Sequence, residues 1–362
     1  MSLAIQRLSL VEHAAEVLRK ALREKVWVGR MPGERELSRQ LNISRPTLRL
    51  ALDRLRSEGW LKVTAGSQRW ILPRAPGRMA AQPQVVGVLT PLPLREIPPF
   101  ALCWMDRLRE LLARAGFKLE IHSGRRWYSR RPEKDLAALT QQSPAAAWLL
   151  FVTSERMQRW FLDSGLPTAL SGSCHPGIVL PSVDFDYRAI CRHAAGQFLR
   201  RGHRRVALLI HGGETAGDRE SALGFMEAFG TRGKASAVIA HHDGTPQGIR
   251  RQLHQLFQSS QAPTALLVAR SMPALMAASE LARWGLRVPQ DVAIIARDSD
   301  HFHEYFSPQL ARYRVDPDVH ARRLARILIR LVRGETGRPA CVRLMPEFLP
   351  GESLGEAQQI AK

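Results

Sequence analysis

The sequence predicts an α/β protein in two parts: an N-terminal winged helix-turn-helix, then a larger two-lobed domain built on parallel sheets. Three observations predict it. Residues up to 72 read as three short helices and a hairpin, and residues from 85 onward alternate short apolar runs with amphipathic helical stretches. Basic charge, moreover, is concentrated at the N-terminal end. At 362 residues the chain exceeds what one ordinary core organises. Pro73 to Gln84 (PRAPGRMAAQPQ) has no periodicity, so the expected domains are 1–73 and 85–355, with a linker at 74–84.

The N-terminal elements follow one after another. Val11, Ala14, Ala15, Leu18, Ala21 and Leu22 recur at helical spacing. Met31-Pro32-Gly33 breaks the chain, and Glu34 to Leu41 is a short second helix. Asn42-Ile43 makes a tight turn, and Ser44 is an N-cap for a third helix that tolerates Pro46 in its first turn. Leu48, Ala51, Leu52 and Leu55 form its buried stripe, and Gly59 ends it. Two β-prone runs, Trp60–Val63 and Gln68–Leu72, flank a turn at Thr64–Ser67.

Beyond the linker the apolar runs are Val85–Leu89, Phe117–Ile121, Trp148–Val152, Val206–Ile210, Ala237–Ala240, Ala265–Val268 and Val292–Ala296. Helical stretches centre on Leu108, Leu139, Phe161, Ala195, Phe225, Leu253, Leu281 and Leu328. Alternating βαβ units imply parallel sheets covered on both faces, here enough for two lobes with a cleft between them.

Composition narrows the function. Hydrophobic content of 45% and charged content of 24% are those of a soluble globular protein. No run reaches the length of a membrane span, and Gln6, Arg7, Glu12 and His13 interrupt the apolar start, so a cytoplasmic location is expected. The four cysteines are far apart in sequence with no C-x-x-C, which reads as isolated buried thiols rather than a zinc site or disulfide framework. The net charge is +20; residues 1–75 hold 15 Lys/Arg against 7 acids, or +8, which more than doubles the charge density of the remainder. A polyanion-binding module has that distribution.

On the third helix Arg45, Thr47 and Arg49 fall opposite the apolar stripe, where a recognition helix meets base edges in the major groove. The planar fork of Arg suits guanine O6 and N7. Ser44 and the backbone amides beside it can hold a phosphate, Arg35 opens the second helix, and the wing tip from Gly66 to Arg69 is small and basic. A merely solvated helix face is the competing reading; the agreement of three helices, wing, cap and charge argues against it. The expected DNA-binding residues are thus Arg35, Ser44, Arg45, Thr47, Arg49, Gly66 and Arg69.

The run from Pro32-Gly33-Glu34-Arg35-Glu36-Leu37 through Ser44-Arg45-Pro46-Thr47-Leu48-Arg49, continuing to Glu58-Gly59, resembles the signature of the GntR family of bacterial regulators over residues 10–72. Here the stretch between Gly33 and Arg35 is shorter than the family pattern. The rest resembles the effector domain of LacI-type regulators, a periplasmic-binding-protein-like fold, over residues 85–353. The resemblance is carried by Asp184-Phe185-Asp186-Tyr187, Gly202-His203, Gly224-Phe225, Gly285-Leu286-Arg287-Val288-Pro289-Gln290-Asp291-Val292, Ala296-Arg297-Asp298-Ser299 and Pro346-Glu347-Phe348-Leu349. It implies a regulator, most often a repressor, that binds a palindromic double-stranded operator as a homodimer and takes a small-molecule effector in the cleft.

Clefts outside the carboxyl ends of parallel strands are default ligand sites. The expected effector-binding residues are Phe100, Arg219, Arg270, Ser271 and Asp298. Asp298 matches the family pattern, whereas Arg270-Ser271 stands where sugar-responsive relatives carry Asn-Asp, and Ser221 stands where the family has an arginine. Arg219 and Arg270 converging in the cleft imply an anionic or zwitterionic effector. The alternative is a ligand-independent dimeric regulator with a degenerate pocket.

Enzyme chemistry finds little support. A GntR head joined to a pyridoxal-phosphate domain needs a Schiff-base lysine, and beyond the linker only Lys118, Lys134, Lys234 and Lys362 exist, all in polar or terminal contexts. Asp298 to Glu304 and His241-His242-Asp243 read as polar loops rather than metal clusters. No P-loop or G-x-S-x-G elbow is present, so neither cofactor nor metal is expected.

Overall fold

In the computed structural model, residues 10–23, 26–27, 29, 31–57, 60–64, 68–71, 85–213, 215–230, 235–335 and 339–355 are described. The chain divides into two compact units, Met1–Gln82 and Pro83–Lys362. The proposed linker, 74–84, lies outside the described residues.

The first unit holds α1 (Leu10–Arg23), α2 (Glu34–Gln40), α3 (Arg45–Ser57) and an antiparallel pair, β1 (Leu61–Thr64) with β2 (Gln68–Ile71). Its core is the stripe expected from periodicity: Ala14, Ala15, Leu18 and Leu22 meet Leu37, Leu48, Ala51, Leu52, Leu55 and Leu61. Local chemistry sets the corner between α2 and α3. Asn42 takes a φ of 50°, which its short polar side chain tolerates, and the Ser38 hydroxyl donates to the Ile43 carbonyl at 2.6 Å. Ser44 then caps α3 by accepting from the Thr47 amide at 3.3 Å.

The second unit has two lobes. The N-lobe runs β3 (Val85–Thr90), α4 (Pro99–Arg114), β4 (Lys118–Ser123), α5 (Glu133–Gln142), β5 (Ala147–Phe151), α6 (Glu155–Ser164), β6 (Thr168–Ser171) and β7 (Ser182–Phe185). The chain then crosses over and builds the C-lobe: α7 (Tyr187–Arg200), β8 (Arg205–His211), α8 (Ala216–Glu227), β9 (Ser236–His242), α9 (Pro246–Phe257), β10 (Ala265–Val268), α10 (Ser271–Arg283), β11 (Ala293–Ala296) and β12 (Ala311–Arg314). It returns for α11 (Pro317–Val332) and β13 (Cys341–Leu344), and crosses a third time to β14 (Glu347–Leu349).

The two sheets share one winding. Their orders are β13-β7-β6-β5-β3-β4 and β14-β12-β11-β10-β8-β9, and every pairing is parallel except that of β14 with β12. Both faces of each sheet are covered, so strand residues alternate between two cores. Val86 and Val88 face α4 and α11, whereas Leu89, Trp148 and Leu150 face α5 and α6. Close helix contact explains one glycine of the Gly224-Phe225 motif: a Cβ there would fall 2.0 Å from the Arg188 carbonyl oxygen, so only glycine lets α8 lie against α7.

All seven expected strands and all eight helical centres of the second unit lie in elements of the expected type. Periodicity passed over β6, β7, β12, β13 and β14. Each has three or four residues, and Thr168, Ser171, Ser182, Asp184, Arg312, Arg343 and Glu347 interrupt their apolar pattern.

Candidate functional site

Two regions carry chemistry, one in each unit. On the first, Arg45 and Arg49 project from α3 with about half of each side chain exposed (49% and 59%). Glu34, the first residue of α2, anchors both: its Oε2 accepts from Arg49 Nε at 2.8 Å and lies 3.9 Å from an Arg45 terminal nitrogen. Binding through Nε leaves the two terminal nitrogens of Arg49 outside that bond, in the fork geometry that matches the two acceptors of guanine. Thr47 hydroxyl sits 2.7 Å from the Ser44 hydroxyl, and Arg35 is exposed on α2. Gly66 lies outside the described residues, while Arg69 is placed only by its backbone, in β2. The sequence reading did not single out Glu34. Its signal is local: an acid at the first position of α2, where the helix dipole favours it.

On the second unit, a cavity of about 870 Å³ opens between the lobes at the carboxyl ends of their strands. The strand order reverses between β3 and β5, and again between β8 and β10, so loops there diverge and leave a crevice. Phe100, Trp104, Phe151, Phe185 and Tyr187 supply aromatic walls. Phe100 meets Phe185 edge to face at 5.7 Å. Across the cavity the Phe100 amide, in the first turn of α4, donates to Asp300 Oδ1 at 2.6 Å and so clasps one lobe to the other.

The polar floor is a closed ion network. Arg297 is buried, with its guanidinium 4.2 Å from the Tyr187 ring centroid. It donates to both oxygens of Asp298 at 3.0 and 2.9 Å, to Asp218 at 3.2 Å and to the Ser221 hydroxyl at 2.8 Å. Arg270 donates to the other oxygen of Asp218 at 3.0 Å, and its backbone amide to Asp298 at 3.0 Å. Burial alone would raise Asp218, but Arg297 and Arg270 outweigh it and hold the carboxyl below its ordinary value. Asp184, buried beside them and accepting from the Ser173 hydroxyl at 2.6 Å, is pushed up to about 6 by burial.

Burial lowers the pKa of the three imidazoles that border the cavity, those of His211, His242 and His320. Burial takes His320 down to about 3, with Nε2 held 2.9 Å from the Ser171 hydroxyl. Burial, then neighbouring His211 and Arg270, takes His242 down to about 4. Two residues lining the cavity carry backbone strain: Val152 at φ 56° and Arg270 at φ 70°, each just past the third strand in chain order of its own lobe.

Of the expected effector residues, Phe100, Arg270, Ser271 and Asp298 line the cavity. Arg219 does not: it is exposed on α8, and Asp218, one residue earlier, faces the cavity instead. One residue is 100° of helix rotation. The paired-arginine basis for an anionic effector is therefore corrected. The other cavity arginines are Arg250 and Arg297, and all three are paired with carboxylates. Sequence reasoning also missed Asp184, Tyr187, His242 and His320. For Asp218 a signal existed, the Thr215-x-x-Asp218 capping pattern, in which Thr215 hydroxyl and Asp218 carboxylate lie 2.8 Å apart. Among the described residues no group of three His, Cys, Asp or Glu could hold a metal ion, and no helix is long and apolar enough to cross a membrane.

Comparison with known proteins separates the same two units. Residues 10–68 match the gntR family of bacterial regulatory proteins, and residues 195–354 match the periplasmic binding protein-like domain. The HTH-type transcriptional regulator CelR of Thermobifida fusca is 27% identical over 173 residues, 47% of this chain and 51% of that protein. The HTH-type transcriptional repressor CytR of Escherichia coli is 25% identical over 202 residues, 54% of this chain and 52% of that one. The chain thus spans about half the length of the curated relatives it matches. Among solved structures, the complex of CelR with cellobiose superposes with a TM-score of 0.66 at 18% identity, covering 89% of this chain and all of that one. CcpA of Lactococcus lactis follows at 0.64 and 15%, covering 74% and 98%. At such identities the likeness is one of fold. The chain joins a gntR-family helix-turn-helix to a two-lobed periplasmic binding protein-like domain.

Proposed function

We propose that the protein is a sequence-specific, DNA-binding transcription regulator whose operator affinity is set by a small molecule held between its lobes. The observation that carries this reading is the pairing, in one chain, of a Ser44-capped helix bearing two half-exposed arginines with a cavity of about 870 Å³ walled by both lobes. Arg45, Thr47 and Arg49 read bases, Ser44 contacts phosphate, Arg35 reaches the backbone or the groove, and the wing tip from Gly66 to Arg69 lies along the minor groove. The regulator acts in the cytoplasm as a homodimer, and its operator is a palindrome with half-sites spaced by whole helical turns.

The effector is a compact molecule with an apolar face. Aromatic side chains take that face, and the polar contacts come from groups the ion network leaves open: the remaining N–H groups of Arg270, then Asp184 and Thr153. A ligand spanning Phe100 on one lobe and Arg270 on the other favours closure, adding to the Asp300 clasp, and shifts the population of lobe arrangements by its differential affinity. Closure changes DNA affinity; the sign, repression or activation, follows from which arrangement binds the operator.

The test selects operator sites from random duplexes and follows binding by fluorescence anisotropy, with and without compounds that raise the melting temperature of the protein. Enrichment of a two-fold symmetric site, with affinity changed by a stabilising compound, is expected. A symmetric site indifferent to every stabilising compound would support a ligand-independent regulator. Binding without sequence preference would end the regulator reading.

A further inference from the structure

Cysteines 103, 174, 191 and 341 read from sequence as isolated buried thiols, and the fold departs from that. Cys103 and Cys341 are exposed, Cys174 is half-buried, and only Cys191 is buried. Cys174 and Cys341 are also neighbours. Cys174 lies in the loop after β6, Cys341 opens β13, and β6, β7 and β13 are consecutive in the N-lobe sheet. Both thiols donate to one acceptor, the Leu180 carbonyl oxygen, at 3.4 Å from Cys174 and 3.6 Å from Cys341. The sulfurs are thus no farther apart than those two distances laid end to end. Burial, and after it the adjacent Cys341 thiol, keep Cys174 protonated beyond its ordinary range.

We propose that Cys341 and Cys174 are a modification site, oxidised by hydroperoxides to a reversible disulfide. Exposure assigns the order of events. The Cys341 thiolate attacks the peroxide oxygen, the O–O bond breaks, and water or an alcohol leaves, so that Cys341 becomes a sulfenic acid. The Cys174 sulfur then attacks the sulfenic sulfur, giving up its proton as the S–O bond breaks and water departs. Two electrons pass from the two thiols to one peroxide, and a dithiol reductant reverses the bond by exchange. Cys191 is unsuited to either role, since burial pushes its thiol up to about 12. Cys103 lies on α4, away from the shared carbonyl.

The position gives the bond a structural effect. It ties the strand that leads into the third crossover to the loop carrying Gly172 and Ser173, which line the cavity; Ser173 also donates to Asp184 at 2.6 Å. Because Cys174 and Cys341 are distant in sequence, the bond closes a long loop and restricts the unfolded chain more than the folded one.

Full-length protein treated with equimolar hydrogen peroxide, then with dithiothreitol, tests this. Thiol titration should show the loss of two of the four thiols and their recovery. Unreduced digests should contain a Cys174–Cys341 linked peptide, and the melting temperature should rise by several degrees and fall back on reduction. Cys341→Ser should abolish the linked peptide and the melting shift, whereas Cys103→Ser should leave both. Cys341 trapped as sulfenic or sulfinic acid while Cys174 stays free overturns the proposal, as does a linkage running through Cys103. Peptide mapping needs only the wild-type chain, so the test stands even if a variant folds poorly.

Discussion

The arginines of the recognition helix and those of the cavity are the same residue in opposite circumstances. Arg45 and Arg49 share one carboxylate, Glu34, and keep about half their surface in solvent. Arg297 meets two carboxylates, a hydroxyl and an aromatic face and is 3% exposed at the side chain. An arginine with donors to spare can read a partner, whereas one whose donors are spent holds its surroundings together. Counting acceptors therefore separates recognition from architecture better than counting arginines does. Arg270, 39% exposed with a single side-chain carboxylate partner, falls on the reading side of that division.

The largest expected effect breaks the architectural member. Arg297→Ala leaves Asp218 and Asp298 without their main countercharge, and removing one partner of a buried ion network costs about 3–5 kcal/mol. Calorimetry should then show a melting temperature lower by roughly 10 °C; a loss under two degrees would mean the network does not hold the lobe. Next is Asp184→Asn. The folded chain keeps the Asp184 proton up to about 6, against 3.8 ordinarily, so this group's stabilisation is full at low pH and is lost as pH rises through that window. Asparagine has no proton to lose, so the variant should gain on the wild type between those limits, by up to about 3 kcal/mol. Melting curves from pH 4 to 7.5 check the sign, and a constant difference would refute it.

Smaller effects sharpen the recognition side. Arg49→Ala should cost about 1–3 kcal/mol on the selected operator and relax preference at one base pair, with the melting temperature unmoved. Equal losses on operator and random duplex would reassign Arg49 to phosphate. Smallest is Glu34→Gln. A partly exposed ion pair contributes at most about 1 kcal/mol to folding, so stability should scarcely change. Removing a negative charge facing DNA should tighten binding to random duplex and steepen its salt dependence by up to about one. The operator should meanwhile lose its advantage severalfold, because Arg49 is no longer held. Titrations on both duplexes at several salt concentrations give this directly.

How legible these features were followed from the range of the forces behind them. Periodicity is local, so the stripe Leu48, Ala51, Leu52 and Leu55 and the helix centred on Leu328 were readable. The Ser44 cap was readable for the same reason. Side-chain direction is fixed by packing at a distance, which is why Arg219 was taken for Asp218. Arg297 follows a fully buried strand, Ala293–Ala296, and nothing in a linear pattern says that its charge is met by a carboxylate nearly eighty positions away. Glu34 escaped because its partner lies on the next helix. The pairing of Cys174 with Cys341 depends on β13 returning beside β7 after the whole C-lobe has been built.

Val152 and Arg270 occupy corresponding places in the two lobes, and both hold a backbone conformation that glycine would adopt at less cost. Every valine codon and every arginine codon lies a single base change from a glycine codon, so relief was always within mutational reach. Backbone conformational preference therefore does not account for either residue. Whatever does must act through the side chains, and both side chains border the same cavity. A duplicated winding has left two strained points facing one cavity, one from each lobe.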